Sequence, residues 1–261
     1  HVEDFARNSK DGGPAVLIGS PWVEEGRLYN ACVLLDGGRV VARTLKNNLP
    51  NYGVFDEKRV FAAGPMPGPL AVRGVRIGIP ICEDIWTPDV VECLAETGSE
   101  ILLVPNGSPY DVRKFEVRSE LIAARVKESG LPLAYLNQMG GQDEIVFDGA
   151  SLVMNTDGKL AHALPAWEEK IVLTDWTRGA SGWVCAQGDI AGEEERTQSI
   201  YHAMMMVLRD YVNKNRFPGV VIGLSGGIDS ALTAAVAADA LGPDRVRCVM
   251  MPSRYTSQES L

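Results

Sequence analysis

The chain has 261 residues and a mass of 28.2 kDa, with 46% hydrophobic and 23% charged residues, an ordinary globular composition that excludes a disordered tail or a disulfide mini-scaffold. Thirty-four acidic against 25 basic residues give a net charge of −9 and a pI near 4.9, a field that repels phosphate backbones, so no nucleic-acid partner is expected. Small local anion sites stay open, because backbone amides make them without net positive charge. The five cysteines, Cys32, Cys82, Cys93, Cys185 and Cys248, are odd in number and nowhere spaced CxxC, which suits a reduced, cytoplasmic setting. No apolar run approaches the roughly 18–20 residues of a membrane span, so no membrane partner is expected. The first residues lack the apolar stretch of a secretory signal. They also lack an initiator Met, and we expect the chain to be cut from a longer protein at both ends.

In chain order, residues 15–23, 28–35 and 39–45 read as strands, the last two joined by a hairpin at Asp36-Gly37-Gly38. A Pro/Gly-rich loop follows, then VRIGIPIC as a buried strand. A helix opens at Thr87 with Pro88 in its first position. EILLVPN is a strand, and KFEVRSELIAARVKESG is a helix ending on Gly130. PLAYLNQMGG, IVFDGASLVMN and EEKIVLTDW complete the pattern as strands. Helices alternate with strands and hairpins also occur, which predicts an α/β fold with a mixed sheet.

After Trp176 the texture becomes turn-rich and then acidic, as in a linker, with Glu193–Glu195 read as a solvated helix start. RTQSIYHAMMMVLRDYVNKNRF is one amphipathic helix whose Met204–Met206 run is packing. Strand, loop, helix and strand then follow as a βαβ unit, which cannot bury its sheet alone. The spacing therefore predicts a first domain over 1–176, a linker over 177–195, and the first part of a second domain over 196–261.

The loop of that unit is Gly223-Leu224-Ser225-Gly226-Gly227-Ile228-Asp229-Ser230. Gly226 and Gly227 permit positive φ and close approach of a ligand to the backbone. Amides at a helix start favour an anion, and Ser225 and Ser230 add hydroxyls. Asp229 is tolerable beside phosphates only with a divalent cation between them. There is no Lys of the GxxxxGK[ST] kind, so this is not a Walker loop. The segment resembles the pyrophosphatase loop of ATP-dependent adenylating ligases. That resemblance implies that Gly223–Ser230 bind ATP, that Ser225, Gly226, Gly227 and Ser230 hold phosphate, and that Asp229 is the ligand for Mg²⁺.

In the first domain, Cys82 ends an apolar strand directly before Glu83-Asp84 and a helix, a place where helix-terminus amides favour a thiolate. The other four cysteines are expected to be buried packing residues. Lys46 ends a strand and precedes LPNYGVFDEKR. Together KNNLPNYGVFDEKR, GIPICEDIW and NGSPYDVRK resemble the glutaminase domain of the glutamine-dependent NAD synthetases, a branch of the nitrilase superfamily. The resemblance runs from about residue 15 to Trp176.

It implies an αββα sandwich, incomplete at its start, followed by the beginning of a Rossmann-like, parallel-sheet ATP-pyrophosphatase domain. By the same resemblance Cys82 is the nucleophile, and Lys46 with the Glu83 amide stabilises the oxyanion. Glu57 is a supporting carboxylate, the general-base Glu lies upstream of residue 1, and Tyr52, Ser108 and Lys114 hold glutamine. The implied reaction is glutamine hydrolysis feeding ammonia to deamido-NAD, with ATP and Mg²⁺, in a homo-oligomer. Two other readings remain at this stage: a plain amidase with a structural C-terminal segment, and a non-catalytic nucleotide-binding or assembly fragment.

Overall fold

Continuous and alternating apolar runs sort the chain into stacked layers. The computed structural model describes residues 1–252. A short helix that the sequence reading missed, α1 (Val2–Arg7), packs on a three-stranded antiparallel sheet of β1 (Val16–Glu24), β2 (Arg27–Asp36) and β3 (Arg39–Leu45). Ala31 to Leu35 of the central strand β2 are all buried because both faces are covered. Val33 and Leu35 meet Ala6 of α1, while Cys32 meets Ile79 and Ile81 below. The expected Asp36-Gly37-Gly38 hairpin is present. A second one joins β1 to β2 through Glu25 (φ 47°) and Gly26 (φ 74°), the two positive angles that a two-residue hairpin turn requires.

The chain continues through α2 (Glu57–Val60), β4 (Leu70–Val72), β5 (Val75–Gly78), α3 (Pro88–Glu96), β6 (Ile101–Asn106), α4 (Lys114–Ser129) and β7 (Leu133–Asn137). A small hairpin of β8 (Met139–Gln142) and β9 (Ile145–Asp148) precedes β10 (Leu152–Met154) and β11 (Leu160–Ala163). The second sheet has the order β11-β10-β7-β6-β5-β4. β5, β6 and β7 run parallel at its centre and the flanking strands are antiparallel, so the sheet is mixed as expected. On its outer face Val90, Leu94, Ile122 and Val126 of α3 and α4 pack on Leu102, Val104 and Leu133. Gly130, at φ 66°, takes the left-handed conformation that ends α4. Helices, sheet, sheet and helix make the αββα sandwich.

Three expectations need correction. Residues 168–175 form no strand: Ile171 and Leu173 are 96% and 89% exposed, and their alternation finds no neighbouring strand among the described residues. TRGASGWVC, read as linker, forms a hairpin of β12 (Trp176–Gly179) and β13 (Gly182–Cys185), anchored where Trp176 and Cys185 pack on Val153 and Ala161. Cys32 and Cys185 are buried as expected, but Cys93 is half-buried and Cys248 is exposed.

The remainder is α5 (Arg196–Lys214), β14 (Val220–Leu224), α6 (Ile228–Leu241) and β15 (Val246–Met250), with β14 and β15 parallel. Glu195 caps α5, accepting the Thr197 and Gln198 amides. α5 lies against the β8–β9 hairpin, where Asp210 accepts the Gly141 N–H at 2.7 Å and Lys214 donates to the Gly141 carbonyl. No helix among the described residues is long and apolar enough to cross a membrane.

Candidate active site and nucleotide loop

The carboxyl ends of the parallel strands β5, β6 and β7 converge, and open α/β sheets bind ligands at such an edge. Cys82 lies just past β5, at the start of a single 3₁₀ turn (Cys82–Ile85). Its φ of 49° is uncommon for a residue with a side chain and marks a strained, sharply turned backbone. The turn is held by Asp84, which is fully buried and accepts three backbone amides: Ile81 at 3.0 Å, Asn47 at 3.2 Å and Asn48 at 2.7 Å. One carboxylate thus ties the turn carrying Cys82 to the segment after Lys46. Burial pushes the Asp84 pKa up to about 6 against the pull of those amides.

Lys46 is only 1% exposed, and its Nζ donates to both oxygens of Glu57 at 2.8 Å. Asn30 donates to the same carboxylate at 3.3 Å. A charged side chain buried this deeply needs a partner of opposite sign, and Glu57 supplies it. The Cys82 side chain is half-covered, with enough protein around it that burial raises the thiol's pKa. The Lys46 charge and the Gly107 amide oppose that rise. The turn by itself therefore does not deliver the thiolate that the sequence reading expected of it.

Tyr52 donates its hydroxyl to both oxygens of Glu83, at 3.0 and 2.9 Å, and burial first, then Glu83, pushes the phenol up to about 12. Tyr52 and Glu83 line an open cavity of about 660 Å³ with Asn51, Lys58, Phe61 and Thr87. Cys82 and Lys46 do not line it, although their chain neighbours Glu83 and Asn47 do. A narrower cleft of about 460 Å³, between Arg113, Asp148 and Arg196, contains none of the expected site residues. Ser108 is 4% exposed, next to Gly107. Lys114, the first residue of α4, holds its Nζ 4.5 Å from the centroid of the Trp86 ring.

The structure thus brings Lys46, Glu57, Cys82 and Gly107-Ser108 together and sets Tyr52 with Glu83 beside them. The sequence reading used only the amide of Glu83, and missed its carboxylate and the role of Asp84. The two acids directly after Cys82 were the available signal.

The Gly223–Ser230 loop is largely exposed. Gly226 has φ 82°, whereas Gly227 at φ −82° needs no special freedom. Ser225 Oγ and Ser230 Oγ lie 3.0 Å apart, and the Ser225 amide donates to Ser230 Oγ at 3.2 Å. Asp229 opens α6. Met251 Cε lies 3.4 Å from where a Cβ on Gly223 would stand, which puts Met251 at the strand edge beside the loop. No group of three or more His, Cys, Asp or Glu that could hold a metal occurs among the described residues. One carboxylate and two hydroxyls fit a Mg²⁺ that arrives bound to phosphates rather than a resident metal cage.

The chain matches the NAD synthase family model over residues 200–261. It is 53% identical to the glutamine-dependent NAD(+) synthetase of Rhodobacter capsulatus, over 95% of this chain and 45% of that protein. It is 42% identical to the Acinetobacter baylyi protein of the same name, over 91% and 44%. The chain thus spans less than half the length of these two relatives. A solved Acinetobacter baumannii glutamine-dependent NAD+ synthetase, in complex with ADP, superposes with a TM-score of 0.92 at 40% identity, over 99% of this chain and 49% of that one. An amidase from Nesterenkonia sp. AN1, solved with acrylamide added to its active-site cysteine, gives a TM-score of 0.56 at 30% identity, over 62% and 64%. The carbon-nitrogen hydrolase family model matches residues 1–182, well over half of the 261, and the chain belongs to that family.

Proposed function

We propose that the chain carries the glutamine-hydrolysing site, and the opening of the ATP site, of a glutamine-dependent NAD synthetase. The observation that carries this reading is the buried Lys46–Glu57 pair beside a positive-φ Cys82, followed in the same chain by an open Ser-Gly-Gly-x-Asp-Ser loop. We place the glutaminase domain at 1–176, a linker at 177–195 and the synthetase domain from 196 onward.

Cys82 Sγ attacks the side-chain carbonyl carbon of glutamine, and the charge that develops on oxygen meets Lys46 and the Glu83 amide. The C–N bond breaks, the nitrogen takes a proton and leaves as ammonia, and water hydrolyses the thioester to glutamate. Because burial raises the thiol's pKa, a base must remove its proton. Glu57 is engaged through both oxygens on Lys46, and Glu83 through both on Tyr52. The family resemblance implies a glutamate upstream of residue 1 for that base. The Glu83 carboxylate suits the substrate ammonium, and Tyr52, Ser108 and Lys114 hold the rest of the amino-acid end.

At the second site Gly223–Ser230 bind ATP, with Ser225, Gly226, Gly227 and Ser230 on the phosphates. Asp229 would hold Mg²⁺, which supplies neutralising charge to them. The deamido-NAD carboxylate attacks the ATP α-phosphorus and releases pyrophosphate, and the ammonia then displaces AMP from the adenylate to give NAD. The reduced cysteines suit a cytoplasmic enzyme, and homo-oligomeric assembly belongs to the same reading. The first half is tested by a diazo-ketone analogue of glutamine, which should label Cys82 on peptide mapping. Label mainly on Cys93 or Cys248, the other accessible thiols, would overturn it.

A further inference from the structure

Helix α5 opens the segment that matches the NAD synthase model, yet it is fastened to the first domain in two places, and both fastenings lead to Tyr110. The first runs through backbone. Asp210 accepts the Gly141 N–H at 2.7 Å, and Lys214 donates to the Gly141 carbonyl. Gly141 pairs across the β8–β9 hairpin with Val146, whose carbonyl accepts the Tyr110 N–H at 2.8 Å. The hairpin meets the helix too closely for side chains: a Cβ on Gly141 would stand 3.0 Å from Val207 Cα, and one on Gly140 3.0 Å from Asp210 Oδ2. The second fastening runs through rings. Tyr110 packs edge-on against Trp167 with centroids 4.9 Å apart, and the Trp167 indole N–H donates to Glu194 at 2.8 Å. The other oxygen of Glu194 lies 2.6 Å from His202 Nδ1, on the second turn of α5.

Tyr110 stands between Ser108 and Lys114, two of the residues read as holding glutamine. Asn137 grips Ser108 from inside the first domain, accepting its N–H at 2.9 Å and donating to its carbonyl at 3.2 Å. Tyr110 is gripped, through Val146 and Trp167, from α5. Polar contacts of this kind fix orientation, where apolar packing alone would fix only contact. We propose that α5 positions the glutamine loop of the first domain, with Asp210 and Glu194 as positioning residues that act on Tyr110 through Gly141–Val146 and through Trp167. The proposal rests on the reading of the first site as a glutaminase.

The test joins hydrogen exchange at the Tyr110 amide, read on peptides covering residues 107–113, to steady-state kinetics of the intact protein. In Asp210→Ala and in Glu194→Ala that amide should exchange several-fold faster. KM for glutamine should rise about fivefold, the factor one net hydrogen bond supplies, with kcat and ammonium-dependent NAD formation within about twofold of wild type. The double variant should raise KM beyond either. Lys214→Met leaves Asp210 in place, so it is the milder change should Asp210→Ala not fold, and it should move both readouts less.

Arg245 supplies the control. It donates to Asn213 Oδ1 at 2.8 Å and to the Phe217 and Pro218 carbonyls at 2.9 and 3.0 Å, fastening the far end of α5 without touching the hairpin or Trp167. Arg245→Met should lower the melting temperature and leave Tyr110 exchange and the glutamine KM where they were. An unmoved exchange rate or an unmoved KM in folded Asp210→Ala or Glu194→Ala, or equal changes in Arg245→Met, would overturn the proposal. A wild-type protein that hydrolyses no glutamine would overturn the glutaminase reading instead, and the exchange comparison alone then decides the role of α5.

Discussion

Replacing Glu57 by Gln separates what the Lys46 pair does for stability from what it does for chemistry. The substitution keeps size and shape but removes the charge that both short contacts to Lys46 Nζ depend on. Breaking a buried pair by deleting one partner costs about 3–5 kcal/mol. Glu57 is 19% exposed, so water relieves part of the strain and about 2–3 kcal/mol is expected here. At about 2–4 °C per kcal/mol for a chain of this size, the melting temperature falls by roughly 5–10 °C. Lys46→Met is the informative companion, because it fills the buried site with apolar atoms and leaves Glu57 with partial access to water. It should cost less stability than Glu57→Gln, yet remove the cation that meets the developing oxyanion, with a loss of about 10²–10³ in glutamine hydrolysis. Thermal melts and steady-state glutaminase assays on the two variants decide the matter. If Lys46→Met melts well below Glu57→Gln, or keeps near-normal turnover, the reasoning about this pair is wrong.

Asp84, with a pKa raised to about 6 from 3.8, takes up protons more readily folded than unfolded. Its contribution to stability is complete below about pH 4 and lost as pH rises through 6, by about 3 kcal/mol at 1.36 kcal/mol per unit. The difference in urea stability between wild type and Asp84→Asn should fall across that window, and a flat difference would contradict the assignment. Gly226→Ala places a side chain at φ 82° and crowds the phosphate approach, so calorimetric ATP affinity should drop about tenfold. Asp229→Asn should weaken Mg·ATP binding far more than metal-free nucleotide binding, and equal losses would remove the metal role from Asp229.

The elements with long periodic patterns were legible in the sequence. α4 and α5, the β2–β3 hairpin, and the strand-loop-helix-strand of β14, α6 and β15 stand close to where spacing and turn residues put them. What failed was local pattern without a partner: Ile171 and Leu173 alternate as strand residues do but have no strand beside them, whereas β12 and β13 pair across a stretch too short to show a period. The site divides in the same way. Lys46, Cys82 and the serine-glycine loop announce themselves through residue type at an element's end. Asp84 acts by accepting backbone amides of a segment 36 residues away, and no spacing along the chain encodes that.

The proposed division of labour between the two sites is tested most directly by Cys82→Ala in the intact protein, assayed for NAD formation with each nitrogen source. Glutamine-dependent synthesis should vanish, because the thiol beside Lys46 is gone. High external ammonium should restore synthesis, because the Ser225–Ser230 loop is untouched and needs only a nitrogen nucleophile. A folded Cys82→Ala protein that makes NAD from glutamine, or makes none even with saturating ammonium, would contradict the account.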